Sequence, residues 1–400
     1  MQILPVEALA IAMVLLVAPL LVDLVVCLVG NLRKPRPRPA LAMREIRLAA
    51  VIPAHDEEAA IARAVHSLVA AGCAPQGERH TDTWRPPVIV VAHNCMDHTV
   101  AKAIEAGARV VALNDWRLRG KGGALRAGFA AARKAGANAF VVLDADSVAG
   151  GNLVSAMKAA LSAGAGAAQC RYELAMSRPN VLARLRVLAF RGINVLRARG
   201  RSGLGFSAGV FGNGFALTAE TLDRVPFDVD SICEDLEYHV RLVAAGIRVE
   251  WVEAAQVFAP LAPQRGAQAA QEARWEGGRY YVATRSSGRL VQALLRGNWR
   301  ALETMAEAWS LPLSRGVLTL VLMALMPVAW LHVFAVVGAA IVAAYAVETA
   351  FLGGAPWRDL AALVCAPAHI LWKLAITPLV LRQTRSGAEW TRTHREARLP

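Results

Sequence analysis

The chain has 400 residues, 56% of them hydrophobic, a mean hydropathy of +0.37, 44 Lys and Arg against 31 Asp and Glu, and a pI near 10.1. That length allows more than one domain, and the apolar content excludes an ordinary, wholly water-soluble protein. The formal charge of +13 is spread along the chain and crowds beside apolar stretches, which fits an anionic membrane surface and argues against nucleic acid.

Val6 to Gly30 is an apolar run close to the ~20 residues that cross a hydrocarbon core. It is too long for a signal-peptide apolar region, and no small-residue cleavage site follows it, so residues 1–30 are expected to be a retained N-terminal transmembrane anchor. Asp23 lies inside it, where a carboxylate is costly unless it faces protein or the interface. Arg33, Lys34, Arg36 and Arg38 follow directly. Short basic loops stay in the cytoplasm, which places the next domain there and the N-terminus outside. Cys27, Cys73, Cys95, Cys170, Cys233 and Cys365 form no CxxC pair and read as reduced thiols.

From Arg47 to Asp146 short apolar runs alternate with amphipathic segments, the pattern of βα units and a parallel sheet. The expected strands are LAAVIP, PPVIVVA, ARVVAL and AFVVLD, and the expected helices are Glu57–Ala71, Asp97–Ala106 and Lys121–Ala135. Cys73 to Pro87 carries Gly, Pro and charges and reads as a loop. A helix is expected over Asn152–Ala163, a strand over Ala167–Tyr172, and a basic, Leu-rich helix over Arg178–Arg201. The charged face of that last helix suits either lipid headgroups or solvent. Gly203–Gly214 is a glycine-rich loop, Glu234–Ala245 a helix and Arg248–Val252 a short strand. The domain reading is therefore a cytosolic α/β domain over 31–285, an amphipathic interface helix over 286–311, a transmembrane or interfacial region over 312–382 and a basic cytosolic tail over 383–400.

Val317–Leu352 is long enough for two tight spans turning near Trp330-Leu-His332, or for one tilted span. Ala361–Leu381 carries Lys373 near its middle, which suits an interfacial or re-entrant segment as well as a crossing. Both layouts that keep the arginine-rich tail inside give three crossings, and the hairpin is the preferred one.

Asp144-Ala-Asp146 ends a strand, so its carboxylates project from the edge where open α/β sheets bind ligands. Two such carboxylates hold Mg²⁺ or Mn²⁺ through oxygen, or cap the next helix. Asp97, in the loop after PPVIVVA, can accept hydrogen bonds from a uracil or another base, or cap the helix that follows. Its neighbours His93, Cys95 and His98 lack a second cluster, and no soft-metal site is expected. Arg119-Gly-Lys121 opens a helix, which suits phosphate, without Walker or dinucleotide-fold spacing. Glu234 and Asp235 open another helix. Acids are common there for dipole reasons, but this is the remaining carboxylate pair in sheet context and could supply a general base, Asp235 first and Glu234 second. Gln271, Arg274 and Trp275 share a helix face and offer diphosphate ligands and an indole platform, or a packed helix.

Together with VIPAHDEE (Val51–Glu58) and Gly212-Asn-Gly214, these motifs resemble the membrane-bound family 2 glycosyltransferases, the group of cellulose, chitin and hyaluronan synthases and ceramide glucosyltransferase. The chain departs from it with Asp56, where Asn is usual, and His93, where Asp is frequent. The resemblance implies a GT-A fold, an α/β domain with a Rossmann-like mixed sheet, carrying N- and C-terminal transmembrane helices. It implies an inverting transfer with a divalent metal (Mg²⁺ or Mn²⁺) at Asp144 and Asp146 and with Asp235 as base. Pro53, Glu57, Asp97, Lys121, Asp144, Gln271 and Arg274 would bind the nucleotide-sugar donor, of the UDP class. Asn213, Gly214 and Trp275 would meet the acceptor. Three crossings are few for polymer export, so single addition to a lipid or lipid-linked glycan at the inner membrane of a bacterium, in exopolysaccharide or glycolipid synthesis, is the expected function. The alternatives are a processive polysaccharide synthase and a non-catalytic scaffold subunit. No oligomeric state follows from the sequence.

Overall fold

In the computed structural model, which describes residues 3–33, 44–76, 84–116, 120–176, 179–229, 231, 233–261 and 265–384, the first apolar run is one helix, α1 (Ile3–Asn31). At ~1.5 Å per residue its length exceeds a ~30 Å hydrocarbon core. The βα alternation then appears as β1 (Leu48–Ala54), α2 (Ile61–Ala70), β2 (Val88–His93), α3 (Thr99–Glu105), β3 (Arg109–Leu113), α4 (Lys121–Lys134) and β4 (Ala139–Val142). β2 and β4 are buried throughout and β1 at all but Pro53, which is why they read as unbroken apolar runs. There follow β5 (Val148–Ala149), α5 (Leu153–Ser162), β6 (Ala167–Ala175), α6 (Val181–Arg191), a π-helical turn (Gly192–Leu196), α7 (Arg197–Gly203), β7 (Phe215–Thr218), α8 (Ala219–Arg224), α9 (Glu234–Ala244) and β8 (Val249–Pro260).

The strands form one sheet in the order β3-β2-β1-β4-β7-β6-β8-β5. β3, β2, β1 and β4 are parallel, and β7 runs against both β4 and β6. The sheet is thus mixed. The chain leaves β1 for β2 on one side and later returns to β4 on the other, so the two strands flank a topological switch point, the usual ligand crevice of such sheets. β5 and β7 were not expected: two and four residues are too short to show a period, and β7 follows directly on the glycine loop. β8 runs on to Pro260, past the expected end at Val252, with a register shift against β6 at Cys170/Arg171. Phe129, Phe140, Phe215, Phe227 and Tyr238 form the aromatic part of the core beneath the sheet.

The chain divides into two compact units. One is built from Pro35–Ser177, Ser207–Gln268 and Glu389–Pro400 and holds the sheet; the other, from Met1–Lys34, Arg178–Phe206 and Ala269–Ala388, is helical. The helical unit adds α10 (Arg265–Leu295), α11 (Arg300–Trp309), α12 (Leu313–Leu325), α13 (Ala329–Phe351), α14 (Pro356–Ala361), a 3-10 turn (Ala362–Cys365), α15 (Ala366–Ala375) and α16 (Thr377–Gln383). Val6–Asn31 and Ala329–Phe351 are long and apolar enough to cross a membrane; α11 with α12, and α14–α15 with α16, are bent pairs at 74° and 49°. The expected turn near Trp330 falls earlier, at Met326–Val328, where Pro327 has no N–H to continue a helix. The last apolar stretch is broken into pieces where Pro367 and Pro378 each sit in a first helical turn.

The arginines of α6 and α7 correct both expectations for that helix, since several point into protein instead of toward headgroups or water. Arg191 binds Asp359 (2.8 Å), a residue of α14. Arg197 and Arg201 bind Asp23 of α1 at 2.7 and 2.8 Å, and Arg201 also reaches Glu303 and Glu307 of α11, each at 2.6 Å. Asp23 thereby meets the condition under which a carboxylate is tolerated in such a helix: its side chain is 2% exposed and doubly paired. Lys34, Arg36, Arg38, Arg119 and the basic tail beyond Thr384 lie outside the described residues.

Candidate active site

β4 stops at Val142, and the turn after it carries Asp144 and Asp146. Because β7 is antiparallel to β4, the residues before β7 meet the residues after β4: Gly214 N–H donates to the Val142 carbonyl at 2.9 Å. Asn213 ties this loop to the acidic turn. Its Oδ1 accepts from the Asp144 N–H (3.1 Å), its Nδ2 donates to Ser147 Oγ (2.8 Å), and the Ser147 hydroxyl donates to Asp146 Oδ1 (3.2 Å). At 1% exposure Asn213 supports the acids from behind, a buried place instead of the acceptor contact expected for it.

Gly212 and Gly214 have φ of +73° and +66°, the left-handed region that favours glycine. Space demands glycine as well. A Cβ on Gly214 would lie 2.1 Å from Cys170 Sγ, and one on Gly212 would lie 3.2 Å from Asp235 Oδ2. That second contact places the Asp235 carboxylate, in the first turn of α9, directly against the loop. Lys121, the first residue of α4, closes the group: its ammonium donates to Asp144 Oδ1 and to the Gly212 carbonyl. Burial disfavours the Lys121 cation, but Asp144, Glu234 and Asp235 outweigh it and raise the pKa above the usual lysine value. The charge therefore persists through neutral pH. Its stabilising effect is fully present below the ordinary lysine pKa and is lost only as pH rises through the raised one.

The loops after β1 and β2 clamp each other. Asp97 accepts from Thr99 N–H at Oδ1 (2.9 Å) and from Glu58 N–H at Oδ2 (3.0 Å); in return Glu58 Oε2 accepts from His98 N–H (3.0 Å). Glu57 N–H donates to Thr99 Oγ1 (2.7 Å), and Asp56 Oδ1 accepts from Met96 N–H (2.6 Å). Asp56 and Asn94 both have φ of +52°, a conformation that Asp and Asn tolerate better than most residues. His98, not Asp97, holds the N-cap position of α3 and makes no side-chain cap bond, so the bond to Thr99 is a local turn one residue ahead of the cap weighed for Asp97, and the bond to Glu58 ties the two loops together. Pro53 lies within β1, opposite Val91. Asp56, Cys95 and Asp97 bring ligand atoms within 4.8 Å of one another. Burial pushes the Cys95 thiol up, against thiolate formation.

Gln271, Arg274 and Trp275 lie on α10, in the helical unit, whereas Lys121, Asp144, Asn213 and Asp235 come together wholly within the sheet unit. Gln271 is buried, and the Trp275 indole is partly exposed with its centre 6.1 Å from the Phe190 ring. Sequence reasoning missed Glu58 and Thr99 as builders of the crevice, and Gln169, whose Nε2 donates to the Asn213 carbonyl at 2.8 Å. Asx residues at strand ends were the available signal for the first two; a Gln inside a strand offers none.

The model of glycosyl transferase family 2 matches residues 49–212, and that of glycosyl transferase family group 2 matches residues 139–347, just over half of the chain. The chain belongs to glycosyl transferase family group 2. The fold of this glycosyltransferase is GT-A-like and resembles that of a mannosyltransferase from Pyrobaculum calidifontis, solved with GDP-mannose and Mn²⁺. The two are 19% identical, the match covers 92% of this chain and 99% of that one, and the TM-score is 0.53. Glucosyl-3-phosphoglycerate synthase from Mycobacterium tuberculosis, solved with Mn²⁺, UDP and glucosyl-3-phosphoglycerate, is 22% identical over 60% of this chain and 79% of its own, with a TM-score of 0.41. A search of curated proteins finds no match.

Proposed function

We propose that this glycosyltransferase moves one sugar, with inversion, from a nucleoside-diphosphate sugar to a lipid or lipid-linked glycan at the cytosolic face of a bacterial inner membrane, in exopolysaccharide or glycolipid synthesis. The observation that carries the reading is the meeting of Lys121, Asp144 and Asp235 around Gly212 at the switch point of the sheet. Asp235 takes the proton of the acceptor hydroxyl as that oxygen bonds to the anomeric carbon. The bond from that carbon to the diphosphate oxygen breaks, and the nucleoside diphosphate leaves with the electron pair. Lys121, Gln271 and Arg274 stabilise the diphosphate charge, and Trp275 offers a face to the acceptor. Pro53, Glu57 and the clamp around Asp97 shape the base pocket, while Asn213 and Gly214 hold the acidic turn from behind.

Asp144 and Asp146 supply only oxygen, and Asn213 and Ser147 order the turn that carries them, so the donor set fits Mg²⁺ or Mn²⁺. Such an ion, when bound, neutralises charge on the diphosphate. The mannosyltransferase of like fold, solved with GDP-mannose and Mn²⁺, supports this reading. Two helices long and apolar enough to span a bilayer fit a membrane position, where a lipid acceptor would be met. So few spans favour single addition over polymer export.

The test is release of nucleoside diphosphate by membranes given a panel of donors that includes UDP-glucose and GDP-mannose, followed by identification of the labelled lipid. Asp235→Asn should abolish turnover while the protein melts as the wild type does; retained turnover refutes the base. A long homopolymer made by the purified protein would refute single addition.

A further inference from the structure

Lys373 stands in an apolar stretch where a lone ammonium would be costly. Its side chain is 12% exposed, and the ammonium donates to two carboxylates of α10, Glu272 and Glu276, the latter at 2.8 Å. Glu276 is shared, because its other oxygen lies 3.0 Å from Arg315 Nη2 on α12. One turn of α10 is therefore gripped by two helices through a part-buried chain of four charges. At the next residue the backbones close in: a Cβ on Gly277 would lie 2.7 Å from the Val380 carbonyl of α16.

Successive residues of an α-helix are turned by about 100°. Gln271, Arg274 and Trp275 share one face, and Glu272 and Glu276 share the face roughly one residue step away. Holding the two glutamates fixes the rotation of α10 about its axis, and with it the direction in which the Gln271, Arg274 and Trp275 face looks. Apolar contacts hold a helix's rotation through shape alone, since the hydrophobic effect has no direction, whereas an ion pair adds a directional peg.

We propose that Lys373 is a positioning residue for transfer: through Glu272 and Glu276 it sets the rotation of α10 within the helical unit, and with it the orientation of Gln271, Arg274 and Trp275. This rests on the role proposed above for the α10 motif. Its consequence is a loss of turnover from a residue that touches no substrate.

The experiment compares the full chain in detergent with its Lys373→Met, Lys373→Arg and Arg274→Ala variants, using whichever of UDP-glucose and GDP-mannose turns over, with kcat, KM and melting recorded for each. Lys373→Met should lower kcat by about 10- to 100-fold, the scale of small misplacements of binding groups, while still melting cooperatively. Lys373→Arg keeps a cation that can grip both carboxylates and should restore most of the rate, a rescue that lost packing would not show. An unchanged kcat in folded Lys373→Met overturns the proposal. Should that variant yield no folded protein, Glu272→Gln, which keeps the Glu276 pair, is read by the same criterion. Arg274→Ala separates the two layers: its full activity would refute the motif's role and the inference with it, whereas an inactive Arg274→Ala beside a fully active Lys373→Met refutes the inference alone.

Discussion

Asp97 sits between two loops and bonds to both, which makes it a clasp of the crevice as much as a contact for the base. Removing the carboxylate leaves the N–H groups of Glu58 and Thr99 to find other acceptors, a cost of about 1–3 kcal/mol for each that stays buried. Asp97→Ala should therefore raise the donor KM, with Asp97→Asn between it and wild type because one amide oxygen replaces two carboxylate oxygens. Equal KM values in all three proteins would refute this. At this scale the sequence exposes chemistry better than partners. Acids at strand ends stand out for their position, and Asp144 and Asp235 do meet at Lys121. That the Asp97 oxygens serve the backbone depends on left-handed turns at Asp56 and Asn94, and the buried place of Asn213 depends on a strand too short to see.

α4 lies on β1 and β2 so closely that a Cβ on Gly128 would fall 2.4 Å from Val51 Cγ1 and 3.1 Å from Val91 Cγ2. Helix propensity favours Ala over Gly by about 1 kcal/mol, but overpacking against two β-branched side chains costs about 1–3 kcal/mol. The contact should win, so Gly128→Ala is expected to lower the urea midpoint of unfolding; a more stable variant would show that the sheet gives way. Among the elements, the βα alternation is legible because buried parallel strands and amphipathic helices have different periods. The fate of the α6–α7 arginines is not, since a basic stripe looks alike whether it meets water, headgroups or carboxylates more than a hundred residues away.

For the whole molecule, α1 and α13 carry mean hydropathies of 2.8 and 2.1 over lengths that suffice to cross a bilayer. An alkaline carbonate wash, which strips peripheral proteins, should leave this one in the membrane pellet. Its release into the supernatant would refute the transmembrane reading. Hydropathy made both segments plain in the sequence. The division of the last apolar stretch at two prolines is equally present there, but hydropathy averages over it, because proline matters through its missing N–H and not through its polarity.

The Asp23 to Arg201 pair joins residues 178 positions apart. At about 5–20 residues per second of synthesis, α1 emerges on the order of 10 to 35 seconds before α7 exists. Over that interval its carboxylate lacks the guanidinium groups of Arg197 and Arg201. Asp23 precedes the end of α1 by about 12 Å of helical rise, near enough to the headgroups to stay hydrated meanwhile. The pairing is thus an assembly event as well as a contact: Asp23 gains these counter-charges only when the chain delivers α7.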